Sequence, residues 1–298
     1  MKKLIIASIV LVSFFSCQKV LDLDAETKIP KLVVNSLFND QDKWEVYVSR
    51  SLSVLDNGNL TKVDNATVSI YDGTTLVSNL TYDGEKYIIL GLSSPPTAGK
   101  IYRIEVSAPN FTSVSSSDFC PQKVSILQVD TSSTTTSFGD REENVTIKFQ
   151  DPGSTKNHYG IEFNIDRYSR YYNSTSSSWD TSYIGSEEIY IASSNPVVDN
   201  SGPDNYVRTL TLKDNLFDGQ QKSILFNYYR YPSGNPNEFS VKTVKLFSLT
   251  EATYKYKKSI TAYRAADGNP FAEPVQVFTN VENGFGIFGG QSNSEIKY

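Results

Sequence analysis

Cys17 has the best-defined chemistry in the sequence. It follows a basic start (residues 1–3), an apolar run (residues 4–15) and the small residue Ser16. A short apolar run after a basic start is typical of a signal peptide rather than of a membrane span. Bacterial lipoprotein signals end in this way because the cysteine thiol takes a diacylglycerol and cleavage before it frees an amine for a third acyl chain. The sequence therefore predicts a signal peptide over 1–16 and lipidation of Cys17. An ordinary secretory peptide that contains a cysteine, or an uncleaved anchor, is the alternative.

A second candidate for function is the aromatic-rich segment 168–183. Its aromatic residues are interleaved with Ser, Thr and Asn. Tyr and Trp offer rigid contact area with a polar tip, as interfaces and ligand platforms require. We predict that this segment binds a ligand or a partner through Tyr168, Tyr171, Tyr172, Trp179 and Tyr183. The alternative is a long hairpin that packs its own aromatic side chains over the sheet. The segment 228–232 has similar chemistry, and the sequence does not indicate whether it lies nearby.

Catalytic residues are not predicted. The single histidine, His158, follows a turn and has no nucleophile motif around it, so a strand-edge histidine is favoured over a general base. Carboxylate pairs could serve glycoside hydrolysis. However, adjacent residues of a strand point to opposite faces, so neither doublet forms a dyad by itself. The carboxylates considered are Asp151 and the doublets Glu142-Glu143 and Glu187-Glu188.

Neither a metal site nor a cofactor is predicted. Two cysteines and one histidine exclude zinc motifs and sites with several histidines. The loop 199–205 has oxygen ligands that suit calcium but lacks the EF-hand spacing, and a turn-rich loop is favoured. Cys120 is expected to be a small buried hydrophobic residue. The glycine-dense segment 280–290 lacks the lysine and the following helix of a phosphate loop, so its glycines are expected to let a final strand approach other backbone closely.

Composition narrows the class of partner. The chain has 298 residues and a formal net charge of −5, and signal cleavage would remove two lysines from it. An acidic surface argues against nucleic acid, which selects a basic face. No run outside the signal approaches 18 apolar residues, so the rest of the chain is expected to be soluble.

The elements that must hold these residues are β-strands. Apolar residues alternate with polar ones in short runs at roughly ten-residue spacing, separated by turn signals such as Asp72-Gly73 and Asp151-Pro152-Gly153. We predict an all-β, mainly antiparallel fold. The strand spacing indicates a sandwich or a barrel over 31–121, after a lipidated tether over 17–30, and a second β-rich region covers 122–298. Residues 66–112, from Ala66-Thr67-Val68 to Phe111, also resemble a transthyretin-like β-sandwich, which implies an Ig-like or transthyretin-like sandwich for the first region. The polar run 130–137 is expected to be a loop or a linker.

One helix is predicted, over about 249–266. Ser248 and Glu251 have the spacing of a capping box, and Gly268 lies where a C-terminal cap would fall. Tyr256, Ile260 and Tyr263 follow at helical spacing, and we expect this face to pack on the sheet.

Several short motifs occur together in an order that resembles a known family. They are Leu21-Asp22-Leu23-Asp24, Leu32-Val33-Val34-Asn35, Val48-Ser49-Arg50-Ser51, Ala66-Thr67-Val68, Phe149-Gln150-Asp151-Pro152, Phe217-Asp218-Gly219, Asn269-Pro270-Phe271 and Asn283-Gly284-Phe285-Gly286-Ile287-Phe288. With Cys17, they resemble the Bacteroidota outer-membrane lipoproteins called the domain of unknown function 4249 family. The resemblance covers nearly the whole chain.

What the resemblance implies is a role in the cell envelope. Members are often encoded beside TonB-dependent transporters, which implies a non-catalytic accessory or binding subunit of such a nutrient-uptake transporter or of a similar complex. Acidic residues after a lipidated cysteine favour export to the cell surface, and Val20 and Leu21 interrupt that acidic run here. We therefore expect an outer-membrane lipoprotein, with the surface favoured over the periplasmic face. The alternatives are a stand-alone adhesin or glycan-binding lipoprotein and, more remotely, an envelope hydrolase.

Overall fold

Alternating apolar residues produce fifteen strands in the residues that the computed structural model describes. These residues are 29–52, 60–90, 95–135, 141–201, 205–229, 235–267 and 272–298. The predicted signal peptide, Cys17 and nearly all of the predicted tether lie outside them. The strands are β1 (Leu32–Phe38), β2 (Glu45–Arg50), β3 (Thr67–Asp72), β4 (Thr75–Tyr82), β5 (Tyr87–Ile88), β6 (Ile101–Ser107), β7 (Val114–Phe119), β8 (Ile126–Thr135), β9 (Arg141–Gln150), β10 (His158–Asn173), β11 (Ser178–Glu188), β12 (Thr209–Lys213), β13 (Gln221–Tyr229), β14 (Glu238–Leu249) and β15 (Phe285–Lys297).

The predicted fold class is confirmed. The strands pair mainly in antiparallel fashion, and one α-helix, α1 (Glu251–Ala266), lies among the described residues. The parallel pair of β1 with β15 is the exception to the antiparallel pattern. In the described ranges, no helix has both the length and the apolar character needed to cross a membrane.

The first hydrophobic core lies inside strands β1 to β7. Their order is β15-β1-β2-β5-β4-β3-β6-β7, and the two-residue strand β5 joins the two halves. The inner faces of both halves contribute to one buried cluster, which is built around Trp44. The Tyr102 ring of β6 lies 4.9 Å from the Trp44 ring and 5.9 Å from the Phe38 ring of β1, measured between centroids. Aromatic rings therefore join the two layers of this sandwich.

The second core lies between a separate sheet and the other end of the twelve-stranded sheet that contains β1 to β7. Strands β13, β9 and β8 form a three-stranded sheet. Their buried residues cluster with those of β10, β12 and β14. The alternation in β9 and β10 places Ile147, Phe149, Ile161 and Phe163 on the inner faces, as the period of two predicts.

The last strand, β15, belongs to both cores. Residues 285–290 pair with β1 in parallel register, and residues 291–297 pair with β14 in antiparallel register. Phe288 is accordingly buried in the first core, whereas Ile296 packs against the second. The predicted second region, 122–298, thus returns a strand to the first sandwich.

The polar run after residue 130 is not the predicted loop or linker. Strand β8 continues to Thr135 and is paired with β9 over this stretch. Its Ser and Thr side chains are mostly exposed, so the segment lacks the apolar alternation that marks the other strands. Thr is compatible with a strand, and backbone pairing holds the segment in place. Residues 136–140 lie outside the described part of the chain.

The helix is confirmed, but its predicted N-cap is wrong and its predicted buried face is only partly correct. Thr250 is the N-cap residue and accepts a hydrogen bond from the backbone N–H of Thr253. Ser248 instead belongs to β14, where it accepts from the N–H of Val124. The buried helical residues are Thr253 and Tyr254, while Tyr256 and Ile260 are half-buried and Tyr263 is exposed. Gly268, the predicted C-terminal cap, lies outside the described residues.

A nearly buried ion pair fixes the helix to β10. The Lys257 ammonium lies 2.8 Å from a carboxylate oxygen of Glu162, which also accepts from the Thr209 hydroxyl. Burial raises the pKa of Glu162, but the charge of Lys257 and the hydrogen bonds from Lys257 and Thr209 outweigh it and hold the pKa below its ordinary value. The pair therefore stabilises the folded state above the pKa of an unfolded glutamate, about 4.3.

We expect Glu162→Gln to lower the free energy of unfolding by about 2 kcal/mol near neutral pH, between the values for exposed and buried pairs. A folded-state pKa below the unfolded one means that this contribution disappears as the pH falls through the folded-state pKa. The difference from the natural chain should therefore shrink below about pH 4. Urea titrations across pH measure it. Glu251→Gln, which breaks the exposed pair with Lys255 on the same helix, is the control and should cost about 0.5 kcal/mol at most. Equal losses in the two variants would contradict the assignment.

Candidate functional site

The predicted aromatic segment forms a hairpin that continues beyond the second core. Strand β10 buries Ile161 and Phe163, and its residues from Arg167 onward are half-buried or exposed. The connection to β11 is a polar turn in which the Asn173 side chain accepts from the N–H of Thr175 at 3.0 Å. Asn173 also donates to the Asp180 carboxylate at 2.7 Å. Residues 174–177 therefore form the turn, and the aromatic residues lie on the two strands.

Four of the five predicted binding residues share one face of the hairpin. The register places Tyr168 opposite Tyr183 and Tyr172 opposite Trp179. The two ring pairs lie 5.5 Å and 5.9 Å apart between centroids, both edge to face. Phe239 of β14 stacks on Tyr168 at 5.4 Å. We call these five residues the aromatic stripe.

The fifth predicted residue, Tyr171, lies on the opposite face. It pairs with Asp180, one position along from the pair of Tyr172 with Trp179. Neighbouring residues of a strand point to opposite sides, so Tyr171 cannot join the stripe. It supplies a matched control within the same hairpin.

The stripe is exposed and partly preorganised. Trp179 is 64% exposed, Tyr183 57% and Tyr172 56%. The edge-to-face contacts restrict the rings, and the Arg170 guanidinium lies 5.0 Å from the Phe239 centroid. The alternative prediction, a hairpin that covers its own aromatic residues, describes Tyr168 but not the three exposed rings.

A cleft of about 1090 Å³ lies where the base of this hairpin faces the end of β13. It is lined by aromatic, charged and apolar side chains from six separate parts of the chain, among them Ile165, Arg167, Tyr190, Arg208, Tyr229 and Lys242. Sequence reasoning missed this cleft. Within the segment 228–232, Tyr228 and Tyr229 line it, and residues 230–232 lie outside the described residues.

Each glutamate of the doublet 187–188 is paired with a different arginine. Arg167 contacts Glu187 at 2.7 Å, and Arg208 contacts Glu188 at 3.2 Å. Arg208 also donates from Nε to the Tyr190 hydroxyl at 3.0 Å and lies 5.3 Å from the centre of that ring. All four charged side chains are about half exposed, so their outward groups remain accessible to a ligand.

The Glu142-Glu143 doublet is divided between the surface and the core. The carboxylate of Glu142 accepts from the Tyr206 hydroxyl at 3.3 Å and from the amide of Asn227, whereas Glu143 is buried. Tyr206 stacks beside Tyr229 with centroids 5.2 Å apart. Burial raises the pKa of Tyr206, so its hydroxyl stays protonated and can donate to Glu142.

The remaining candidates for chemistry make structural contacts. The His158 ring lies 4.8 Å from the Tyr254 ring, and burial lowers the pKa of His158, which favours the neutral imidazole at pH 7. Cys120 is buried as predicted, with Sγ 3.9 Å from the Ser292 hydroxyl. Burial raises the pKa of its thiol to about 11, so the reactive thiolate is scarce.

Asp151 belongs to a group of three carboxylates. Asp151, Asp214 and Asp218 place carboxylate oxygens within 4.8 Å of one another, a spacing at which all three could bind the same cation. Asp151 accepts from the Tyr159 hydroxyl and from the N–H of Gly219. Burial raises the pKa of Asp151. These hydrogen bonds join the loop that begins at Asp151 to β10 and to the loop that contains Gly219.

In the candidate calcium loop 199–205, the described side chains also make structural contacts. The Asn200 amide bonds the backbone of Thr209 and Thr211, and Asp199 accepts from the Tyr254 hydroxyl at 2.6 Å. Residues 202–204 lie outside the described residues.

Comparisons with known proteins give one family. A model of the family described as "Domain of unknown function (DUF4249)" matches residues 18–297. No curated protein matches the chain. A solved structure titled "Structural basis for the promiscuous specificity of the carbohydrate-binding modules from the beta-sandwich super family" is 13% identical over 74% of this chain and 97% of that chain. Its TM-score is 0.17, and an overlap this low carries no argument about fold or ligand.

Proposed function

We propose the function of this chain from its family membership. The chain belongs to the family described as Domain of unknown function (DUF4249). The proposed function is a non-catalytic accessory or binding subunit of an envelope complex, held at the outer membrane by lipid on Cys17. The proposed partner is a TonB-dependent transporter, and the proposed contact surface is the aromatic stripe. The cell surface is the favoured location.

The observation that carries this proposal is the exposure of the stripe. Exposed aromatic residues that lie together on one face are typical of interaction sites. Tyr and Trp are also the residues that most often dominate binding energy at protein interfaces. The four hairpin residues of the stripe do not line the cleft described above, whereas small-molecule sites are concave. A protein partner therefore suits this face better than a small ligand.

The location of the stripe allows its role in binding to be tested without disturbing the second core. The register holds Tyr172 and Trp179 close to the turn of the hairpin, beyond the residues that fill the second core. Truncating Trp179 should therefore remove contact area without opening a cavity in that core. This allows a loss of binding to be separated from a loss of fold.

The test is a mild-detergent pulldown of the full-length lipidated chain from its own cells, read by quantitative mass spectrometry. We expect one β-barrel transporter to copurify in near-stoichiometric amount. The double variant Tyr172→Ala/Trp179→Ala should reduce its recovery about tenfold or more, as expected when central aromatic anchors are lost. Tyr171→Ala, on the opposite face of the same hairpin, should leave recovery within about twofold.

Two outcomes would overturn the proposal. If the chain repeatedly copurified with no outer-membrane protein, the transporter assignment would fail and the stand-alone adhesin would take its place. If a transporter copurified equally well with the natural chain and the double variant, the stripe would not be its contact surface.

A further inference from the structure

We infer that the cleft at the base of the hairpin binds an uncharged oligosaccharide. The inference rests on the proposed binding role and adds the chemical class of the ligand. The cleft and the aromatic stripe meet at Phe239, which lines the cleft and stacks on Tyr168. The residues chosen for substitution are nevertheless distinct, because Tyr172 and Trp179 lie near the hairpin turn and do not line the cleft, whereas Tyr190 and Tyr229 do. Failure of one assignment can therefore be told from failure of the other.

The aromatic residues of the cleft provide the first reason. Tyr190 and Tyr229 are about half exposed, and Tyr206 supports the Tyr229 ring from 5.2 Å. Arg208 fixes Tyr190 by a hydrogen bond to its hydroxyl and by lying against its ring. Rigid ring faces of this kind accept the apolar C–H face of a sugar ring, while the tyrosine hydroxyls remain beside its polar edge.

The balance of charge provides the second reason. The lining side chains include three cations (Arg167, Arg208 and Lys242) and three carboxylates (Glu187, Glu188 and Glu238). An equal number of each sign gives no excess positive charge for a phosphate or an acidic glycan, and no excess negative charge for a cationic ligand. A purely apolar ligand would have to cover six charged groups, at a large desolvation cost.

The arrangement of those charges provides the third reason. Each arginine uses part of its guanidinium on a neighbouring glutamate and is about half exposed. A guanidinium has five N–H donors, and each carboxylate has several acceptor positions, so groups remain for a ligand. Each ion pair offers both donors and acceptors, which suits hydroxyl groups because each hydroxyl both donates and accepts. The volume of the cleft, about 1090 Å³, slightly exceeds that of common ligand sites, about 300–1,000 Å³, and suits several linked sugar rings.

The test is binding of the full-length chain in detergent to an array of neutral oligosaccharides (cello-, xylo-, malto- and manno-oligosaccharides) beside acidic ones (alginate and polygalacturonate fragments). We expect at least one neutral series to bind. Affinity for it should change little over a roughly tenfold range of salt concentration, because no net charge is neutralised. If only the acidic probes bound, or no neutral probe bound, the inference would be overturned.

Variants locate the site on the molecule. Tyr229→Ala and Tyr190→Ala should each weaken binding of the neutral probe about tenfold or more, as is typical for a lost stacking residue. Tyr229→Phe keeps the ring face and should stay within about threefold of the natural chain. Tyr263→Ala removes a similarly exposed tyrosine from the helix and should have no effect.

The stripe variant separates this inference from the proposed function. Tyr172→Ala/Trp179→Ala should bind the neutral probe normally even where it loses its protein partner. Near-ultraviolet circular dichroism of each variant verifies that the fold is intact. If a neutral oligosaccharide bound but depended on the stripe rather than on Tyr190 and Tyr229, the cleft assignment would be wrong.

Discussion

Replacing Gly290 with alanine is expected to destabilise the folded chain by about 3 kcal/mol or more, at the severe end for overpacking. A Cβ atom at this position would lie closer than 3.0 Å to the carbonyl oxygen of Phe119, and 3.1 Å from a ring carbon of Pro121. The Phe119 oxygen is a backbone atom and cannot move aside as a flexible side chain could. The distance between β15 and the end of β7 would therefore have to increase.

The position of Gly290 makes this widening costly. Gly290 is the last residue of β15 that pairs with β1, and the next residue begins the pairing with β14. Its N–H donates to Asp118 at 3.0 Å, and its carbonyl oxygen accepts from the Thr253 hydroxyl at 3.0 Å. Displacing it therefore disturbs both cores and the first turn of α1. Since a typical domain is stable by only about 5–15 kcal/mol, a large part of the margin would be lost.

Denaturant titration of the full chain, followed by tryptophan fluorescence, measures this effect. Trp44 in the first core provides the signal. Gly185→Ala is the control, because a Cβ there meets no atom within 4 Å. It should shift the free energy of unfolding by no more than about 0.5 kcal/mol. The explanation fails if the midpoints of the two variants coincide.

Much of the fold follows from patterns within a few residues. Alternation of apolar and polar residues predicted the strands, and apolar residues of these alternating runs, such as Val46, Ile104 and Ile147, are buried. The dense glycines near the end were predicted to permit close backbone approach, and Gly284, Gly286 and Gly290 confirm this. Such features are local, so a single sequence can reveal them.

Features that depend on a distant partner were not predicted. The sharing of β15 between two cores is set by its pairing with β1 and with β14, and nothing within the strand specifies those partners. The start of the helix was predicted at the wrong residue for the same reason. Thr250 is the N-cap residue, and its hydroxyl also donates to Asp118, which is 132 positions away in the sequence. Ser248 belongs to strand β14.

The same distinction between local and distant features applies to the candidate site. The stripe could be predicted because its residues are close in sequence and chemically conspicuous. The cleft could not, because Arg167, Tyr190, Arg208 and Tyr229 come from separate segments and none is unusual alone. Adjacent tyrosines 171 and 172 were predicted to act together, although the period of a strand already required them to point apart.

Replacing Cys17 with serine is expected to release the protein from the membrane almost completely. A serine hydroxyl cannot form the thioether to diacylglycerol, so the chain would lose every proposed acyl group at once. Each buried methylene contributes about 0.8 kcal/mol to membrane binding, and stable anchoring needs more than one acyl chain. Removing all the acyl groups should therefore abolish membrane binding almost completely. The variant should accumulate as a soluble periplasmic form or as an uncleaved precursor.

Metabolic labelling with an alkyne fatty acid, followed by outer-membrane fractionation, tests this expectation. The natural chain should carry the label and sediment with outer membranes, whereas Cys17→Ser should do neither. Cys120→Ala is the matched control, because it removes the other cysteine, which is buried and has a raised thiol pKa. It should be labelled and sediment like the natural chain. Sedimentation of an unlabelled Cys17→Ser variant with outer membranes would show that something other than lipid holds the protein there, and the proposed anchor would have to be abandoned even if the transporter copurified.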